Sequence, residues 1–431
     1  MAPSPTIMQA VEKLGYRVTV GDVAIQAGLN VAEANQSLLA LASDAGGHLQ
    51  VADSGDIVYL FPQNFRAILR NKYFRLRLQE WWKKVWSVLF YLIRISFGIF
   101  LTVSIALITI TIYIIITSTN SDRNGDNRGT SFGGGGFYFP NLFWYLSPNY
   151  DTHYQERRRE RREESNLNFF EAVFSFLFGD GNPNTNLEER RWQEIATVIR
   201  NNRGAVVAEQ IVPYLDDIGE GYTREYEDYM LAVLTRFNGQ PGVSPEGQIV
   251  YYFPELQVSA VKKPRYAISD HLEEFPWRFS AASSGQIMLS AGLGVLNFVL
   301  ALVLGSLLKD GTVTVQLGGL VAFMQGIYWL LLVYGAGFLG IPLLRYFWIQ
   351  WRNRKIGDRN RDRLSRSRLL ASPDAPLQQK IDYAQQFAKE KVISKEDLVY
   401  SSETDLLDQE VERSAKIDAE WQKRLERGSG E

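Results

Sequence analysis

Residues 86–117 read WSVLFYLIRISFGIFLTVSIALITITIYIIIT, an uncharged and mostly apolar run broken once, by Arg94. A run of this length is more than a bilayer requires of one helix. On either side of it the chain carries what reads as two copies of one small module. The first occupies residues 1–64: helical spacing over PTIMQAVEKLG, a short extended RVTV, the helix GDVAIQAGL, then VAEANQSLLALASDAG capped by Asn30 and closed by Gly46 and Gly47. HLQVADSGDIVYLFP alternates apolar and polar residues around a turn and predicts a hairpin. Three helices followed by a hairpin is the winged-helix pattern. The order returns over 187–260. At a shift of 192, Gly55, Ile57, Val58, Tyr59, Phe61 and Pro62 coincide with Gly247, Ile249, Val250, Tyr251, Phe253 and Pro254. We read these residues as the wing of a duplicated module.

The remaining chain divides around these copies. Residues 65–85 form a basic juxtamembrane helix, with Arg66, Arg70, Lys72, Arg75, Arg77, Lys83 and Lys84 beside Trp81 and Trp82. Cations and tryptophans at the entry to an apolar run suit contact with a membrane surface. Residues 118–186 are a linker containing Gly133–Gly136, aromatic segments at 137–150 and 168–178, and a charge run at 157–164. The segments 287–308 and 319–344 are transmembrane helices joined by a turn, and Ser290/Gly294 and Ala336/Gly340 supply small-residue spacing for close contact. Residues 345–431 are a basic, then helical tail. Its nine Arg and Lys between 345 and 368, among them Arg345, Arg352, Arg354 and Lys355, place it on the cytoplasmic side. The final fifty residues have the mixed charge of a solvated helix pair. The fold class is therefore an α-helical integral membrane protein with two winged-helix-like modules and a helical C-terminal tail.

One difficulty attends the opening stretch. A single crossing at 86–117 would put the two copies on opposite sides. Either the stretch turns back near Gly98, or the first module is translocated without a signal peptide, or the aromatic segments 137–150 and 168–178 help complete a return.

Chemistry is bounded mainly by exclusion. The 431 residues contain no cysteine, so no thiolate site or cysteine-ligated cluster can form. His48, His153 and His271 are far apart. No phosphate-cradling loop, nucleophile elbow or zinc-protease motif occurs. We expect no enzyme, no cofactor and no metal. A winged helix suggests duplex binding, which draws its affinity from Lys and Arg against phosphate. From Val18 to Phe65 there is neither, while Asp22, Glu33, Asp44, Asp53 and Asp56 are acidic. Asn35 and Gln36 lie where bases would be read. The composition favours membrane lipids and unidentified proteins as partners over nucleic acid. Arg94 is the one intramembrane charge.

KLGYRVTVGDVAIQAGL, GDIVYLFP, NLFWYLSPNY, FSFLFGDGNPN followed by EERRW, RFNGQP and IPLLRYF together resemble a cyanobacterial and plastid membrane protein family. In plants that family often bears the label "iron–sulfur cluster biosynthesis family protein". The resemblance spans residues 5–400. It implies a thylakoid or plasma membrane of a cyanobacterium, or a plastid envelope homologue, and carries no catalytic residues. The expected function is a membrane-anchored interaction adaptor or assembly factor. The alternatives are a membrane-tethered DNA-binding regulator and a transporter or channel subunit, for which 287–344 offers only Asn297, Gln316 and Gln325 beside hydroxyls.

Overall fold

The computed structural model describes residues 4–121, 167–216, 227–261, 267–309, 312–394 and 396–411, with single turns at 414, 418 and 421–422. The segments 133–136, 137–150 and 157–164 lie outside them. The chain forms two compact units: Met1–Trp81, Asn184–Phe275 and Ile356–Glu431 make the first, and Trp82–Pro183 and Pro276–Lys355 the second.

In the first unit, α1 (Pro5–Lys13) starts on a proline, which lacks the N–H that a first turn leaves unpaired. Strand β1 (Arg17–Thr19) leads into α2 (Val20–Ala27), opened by a reciprocal cap: Asp22 N–H donates to Thr19 Oγ1 and Thr19 N–H to Asp22 Oδ2. Helix α3 (Val31–Ala45) is capped by Asn30 and ends at Gly46 in the left-handed region. Strands β2 (His48–Ala52) and β3 (Ile57–Leu60) form the hairpin, and β3 lies between β1 and β2. Helix α4 (Phe65–Lys72) buries Phe65 and Leu69 in the same core. Helices α5 (Phe74–Ser121) and α6 (Phe169–Phe178) follow.

The chain then repeats this order. It runs α7 (Leu187–Asn201), β4 (Ala205–Val206), α8 (Ala208–Ile211) with a tight turn over Val212–Tyr214, and α9 (Met230–Phe237). Strands β5 (Gln240–Val243) and β6 (Ile249–Tyr252), helix α10 (Pro254–Gln257) and β7 (Val258–Ser259) complete it, with β6 central. The likeness extends to backbone detail. Gly15 and Tyr16 (φ +83° and +68°) correspond to Arg203 and Gly204 (+56° and +77°). Tyr16 N–H donates to Val11 O, and Gly204 N–H to Ile199 O. Gly46 corresponds to Asn238, Gly55 to Gly247, and the bond Gly47 N–H to Ala42 O to the bond Gly239 N–H to Leu234 O. The offset is 188 in the first set (Gly15 to Arg203) and 192 in the second (Gly46 to Asn238), so four residues are inserted between β4 and α9.

The two copies share one hydrophobic core, in which Val23, Leu38 and Leu41 join Ile195, Ile199 and Phe237. Their backbones meet closely: a Cβ on Gly21 would stand 2.1 Å from the carbonyl oxygen of Glu255.

In the second unit, three helices are long and apolar enough to cross a membrane: α5, α11 (Ser284–Leu308) and α13 (Gly319–Ala371). Leu101 and Ile105 pack with Leu293 and Phe338, and Ile108 and Ile115 with Ala301, Leu304, Leu308 and Val321. Helices α5 and α11 therefore run parallel and α13 antiparallel. The expected turn-back near Gly98 is corrected: α5 is unbroken there. Gly98 is needed because α6 lies against it, and a Cβ would stand 2.6 Å from Phe170 Cδ1. Gly294 likewise accommodates Phe338, whereas Ala336 is exposed and Gly340 faces open space. The turn at 309–318 contains a short helix, α12 (Thr312–Leu317).

The tail differs from a solvated helix pair. α14 (Ala375–Gln385) packs Leu377, Ile381 and Ala384 against Val207 and Val250. Strand β8 (Lys391–Val392) pairs with β7, and β9 (Leu398–Ser401) pairs with β2, giving the order β1-β3-β2-β9. Val392 and Ile393, then Leu398, Val399 and Tyr400, are short β-favouring runs, and the open edge of β2 offers them ladder partners.

Candidate functional site

Three buried ionic junctions hold the first unit together. At the first, Asp22 Oδ1 accepts from Arg200 Nη2 (2.7 Å) and Ser259 Oγ, while Oδ2 accepts from Thr19 and Ala260 N–H. Its side chain is 3% exposed. One carboxylate thus joins α2 of the first copy, α7 of the second and the strand after it. At the second, Lys380 of α14 donates to Glu209 (2.9 and 3.1 Å) and Glu227 (2.7 Å), and Tyr251 OH donates to Glu227. At the third, Arg363 of α13 donates to Asp216, Glu274 and the Leu272 carbonyl, with Arg191 also on Asp216 and Arg359 on Glu274. Burial raises the Glu274 carboxyl, but Arg359 and Arg363 outweigh it and the group sits below the ordinary glutamate range. Neighbouring Glu194 is shifted up by burial, against the pull of Arg190 and Arg363.

The surface on which a winged helix would meet DNA is occupied or lacks cations. On α3, residues 32, 33, 35, 36, 39, 40 and 43 are exposed, and none is Lys or Arg. Asn35 Oδ1 accepts from Tyr59 OH (3.1 Å), while Gln36 stays open beside Leu39, which is 53% exposed. In the second copy Arg236 donates to the Gly28 carbonyl and stacks on Trp192. The free edge of β2 is covered by β9. Of the residues taken as wings, Val58, Tyr59, Phe61, Val250, Tyr251 and Phe253 are buried, Pro62, Ile249 and Pro254 are half-buried, and only Gly55, Ile57 and Gly247 are exposed. They coincide between copies because they build the central strands.

Many of the first copy's acids are paired internally: Glu12 with Arg66, Asp44 with Lys72, and Asp56 with Lys391. The Lys72 and Tyr73 bonds hold Asp44 below the ordinary aspartate range. Arg66 and Lys72, expected at the membrane surface, are about half exposed and pair with Glu12 and Asp44 of their own module, and Arg70 also has a partner. The side chains of Arg75 and Arg77 lie outside the described residues. Trp81, Trp82, Lys83, Lys84 and Arg354 are exposed. Arg345 donates to the Phe176 carbonyl and stacks on Phe279, Arg352 lies over Trp277 and Trp348, and Lys355 over Trp351. Arg94 pairs with Asp180 at 3.0 Å, and Asp180 Oδ2 also accepts from Ser175 Oγ and Ala281 N–H.

Asp22, Asp180 and Lys380 had no signal of their own in the sequence. Each is a lone charge whose partner is far along the chain. Among the described residues no group of His, Asp and Glu is placed to hold a metal ion. His48 contacts the Ser402 carbonyl, and His153 lies outside the described residues.

No protein-family model matches the chain, and no solved structure matches it. Over 434 aligned positions, covering 97% of this chain and 81% of the other, it is 38% identical to the Arabidopsis thaliana protein named "Uncharacterized protein At5g03900, chloroplastic". The chain belongs to the family of that chloroplast protein.

Proposed function

We propose that the chain is an integral protein of a photosynthetic or plastid-type membrane. It presents a fused pair of duplicated, winged-helix-like modules as a non-enzymatic interaction adaptor or assembly factor. The observation that carries this reading is that the parts a winged helix uses on DNA are already engaged or bare of positive charge. The hairpin edge holds β9, Arg236 is bound to the Gly28 carbonyl, and α3 exposes Ala32, Gln36, Leu39 and Ala40 without one cation. Duplex binding without phosphate anchors has little support, whereas a cation-free helix face with an exposed leucine suits a protein surface.

In this reading both copies and the tail, which belong to one compact unit, lie on one side of the membrane. The cations between 345 and 368 make that side cytoplasmic or, in a plastid, stromal. Residues 122–166 lie outside the described residues.

The test is crosslinking and recovery of the full tagged chain from detergent-solubilised membranes, beside Leu39→Asp. Loss of specific partner bands in the variant, with reconstitution unchanged, is expected. Identical bands from both, or salt-sensitive duplex binding by the wild type, would overturn the reading.

A further inference from the structure

On α5, Lys83, Lys84, Ser87, Tyr91 and Arg94 fall within an arc of about 100° on a regular helix and span about 16 Å along its axis. The rest of the circumference over the same length is Val85, Trp86, Val88, Leu89, Phe90, Leu92 and Ile93, most of it exposed. A helix apolar and exposed on most of its surface, here meeting α6 through Phe90 against Phe174, stands in lipid or its interface. Its single polar stripe therefore faces the headgroup layer and descends from it.

The stripe carries three cations. The Asp180 carboxylate that meets Arg94 is already shared with Ser175 Oγ and Ala281 N–H. Arg94 offers five N–H donors. One goes to Asp180, and its buried Nε has no partner. Lys83 and Lys84 are exposed and make no ion pair among the described residues. Tyr91, 44% exposed, adds a hydroxyl between them.

We infer that this stripe is a binding slot for the anionic headgroup, phosphate or sulfonate, of a membrane glycerolipid. The inference rests on the membrane reading above. Arg94 holds the anion from below, the two lysines neutralise it from the water side, and Tyr91 donates a hydrogen bond at its flank. Charge complementarity selects the occupant: an acidic lipid satisfies the stripe, and a zwitterionic one brings its own cation against Lys83 and Lys84.

The experiment is reconstitution of the full chain into nanodiscs of mixed phosphatidylcholine and phosphatidylglycerol, followed by detergent extraction and mass spectrometry of the lipid retained. Enrichment of phosphatidylglycerol is expected. It should fall on the order of tenfold in Lys83→Gln/Lys84→Gln/Tyr91→Phe. That variant leaves the Arg94–Asp180 pair intact, so its folding is preserved. Arg94→Gln is expected to lose the enrichment as well. Insertion without enrichment, enrichment that survives both variants, or displacement of the lipid by inorganic phosphate overturns the slot alone. Failure of the wild type to enter nanodiscs overturns the membrane reading and the slot with it.

Discussion

The two copies in the first unit are alike where the backbone is constrained and unlike where the tail docks. Both turn through left-handed residues at the same three places, and both bond a central-strand tyrosine to the residue 24 positions earlier. In the first copy that residue is Asn35, half of a neutral pair on an exposed helix face. In the second it is Glu227, and Lys380 has come down onto it. One substitution separates Asn35, on an open helix face, from Glu227, on which Lys380 of the tail docks just before α9. The same architecture thus draws α14 onto the second copy and not onto the matching position of the first.

The strongest way to break this comparison is to separate the copies. Asp22→Ala leaves Arg200, only 11% exposed, without its carboxylate. Removing one partner of a buried ion pair costs about 3–5 kcal/mol. If the copies are one cooperative unit, hydrogen exchange accelerates in α3 and in α9 together. Acceleration confined to α2 and α3 would show that they fold independently.

Next in size is Lys380→Met, which leaves Glu209 and Glu227 facing each other with no cation, again at about 3–5 kcal/mol. Its effect is local to the second copy, read as new proteolytic cleavage between Ala371 and Ala375. The matched change at the first copy, Lys391→Met, removes a pair 42% and 31% exposed and costs about 1 kcal/mol or less. Equal cleavage in the two variants would remove the asymmetry.

Much of the backbone pattern was legible from the sequence. Asn30, Gly46 and the hairpin turns are local signals, and the apolar runs at 287–308 and 319–344 need only counting. What could not be read is the pairing of distant charges. The acids of the first copy look like a free acidic surface until Arg66, Lys72, Arg200 and Lys391 are placed beside them, and those partners lie up to 335 residues away. The tail misled for a related reason. Its short strands acquire ladder partners only from β2 and β7, so helical periodicity was the sole local signal. Gly98 shows the same limit: glycine in an apolar run signals a break, but here it signals the approach of Phe170.

A direct exchange sharpens the comparison with smaller effects. Glu227→Gln keeps the Tyr251 bond and leaves Lys380 with Glu209 alone, at a cost of about 1–3 kcal/mol. Asn35→Glu puts the second copy's carboxylate on the first, where no lysine waits and the side chain is exposed, and should change stability by no more than about 0.5 kcal/mol. Denaturation midpoints of the two variants test this. A large loss in Asn35→Glu would mean that the first copy's α3 is not the open face it looks to be.

The smallest expected effect is a pH dependence confined to the second copy and its α13 anchor. Glu194 stands among Arg190 on its own helix, Arg363 on α13, Tyr214 and the Glu273 carboxylate. Its folded pKa is raised above the unfolded value, so the stability it confers is complete below the unfolded pKa and is lost as pH rises through the folded one. Glu274 is depressed, so its contribution is present above its unfolded pKa and is lost as pH falls through the folded value. The two carboxyls oppose each other around one arginine. Glu194→Gln removes the member that weakens the anchor at higher pH. The variant should melt above wild type once the pH passes the raised folded pKa of Glu194, and converge with it near the ordinary glutamate pKa. The first copy has no counterpart, since Asp44 is depressed by Lys72 and Tyr73 and loses stability only toward acid. Melting curves that stay parallel across the range would sink the assignment to Glu194. Convergence on acidification alone would assign to one carboxyl the upper edge of the unit's pH stability.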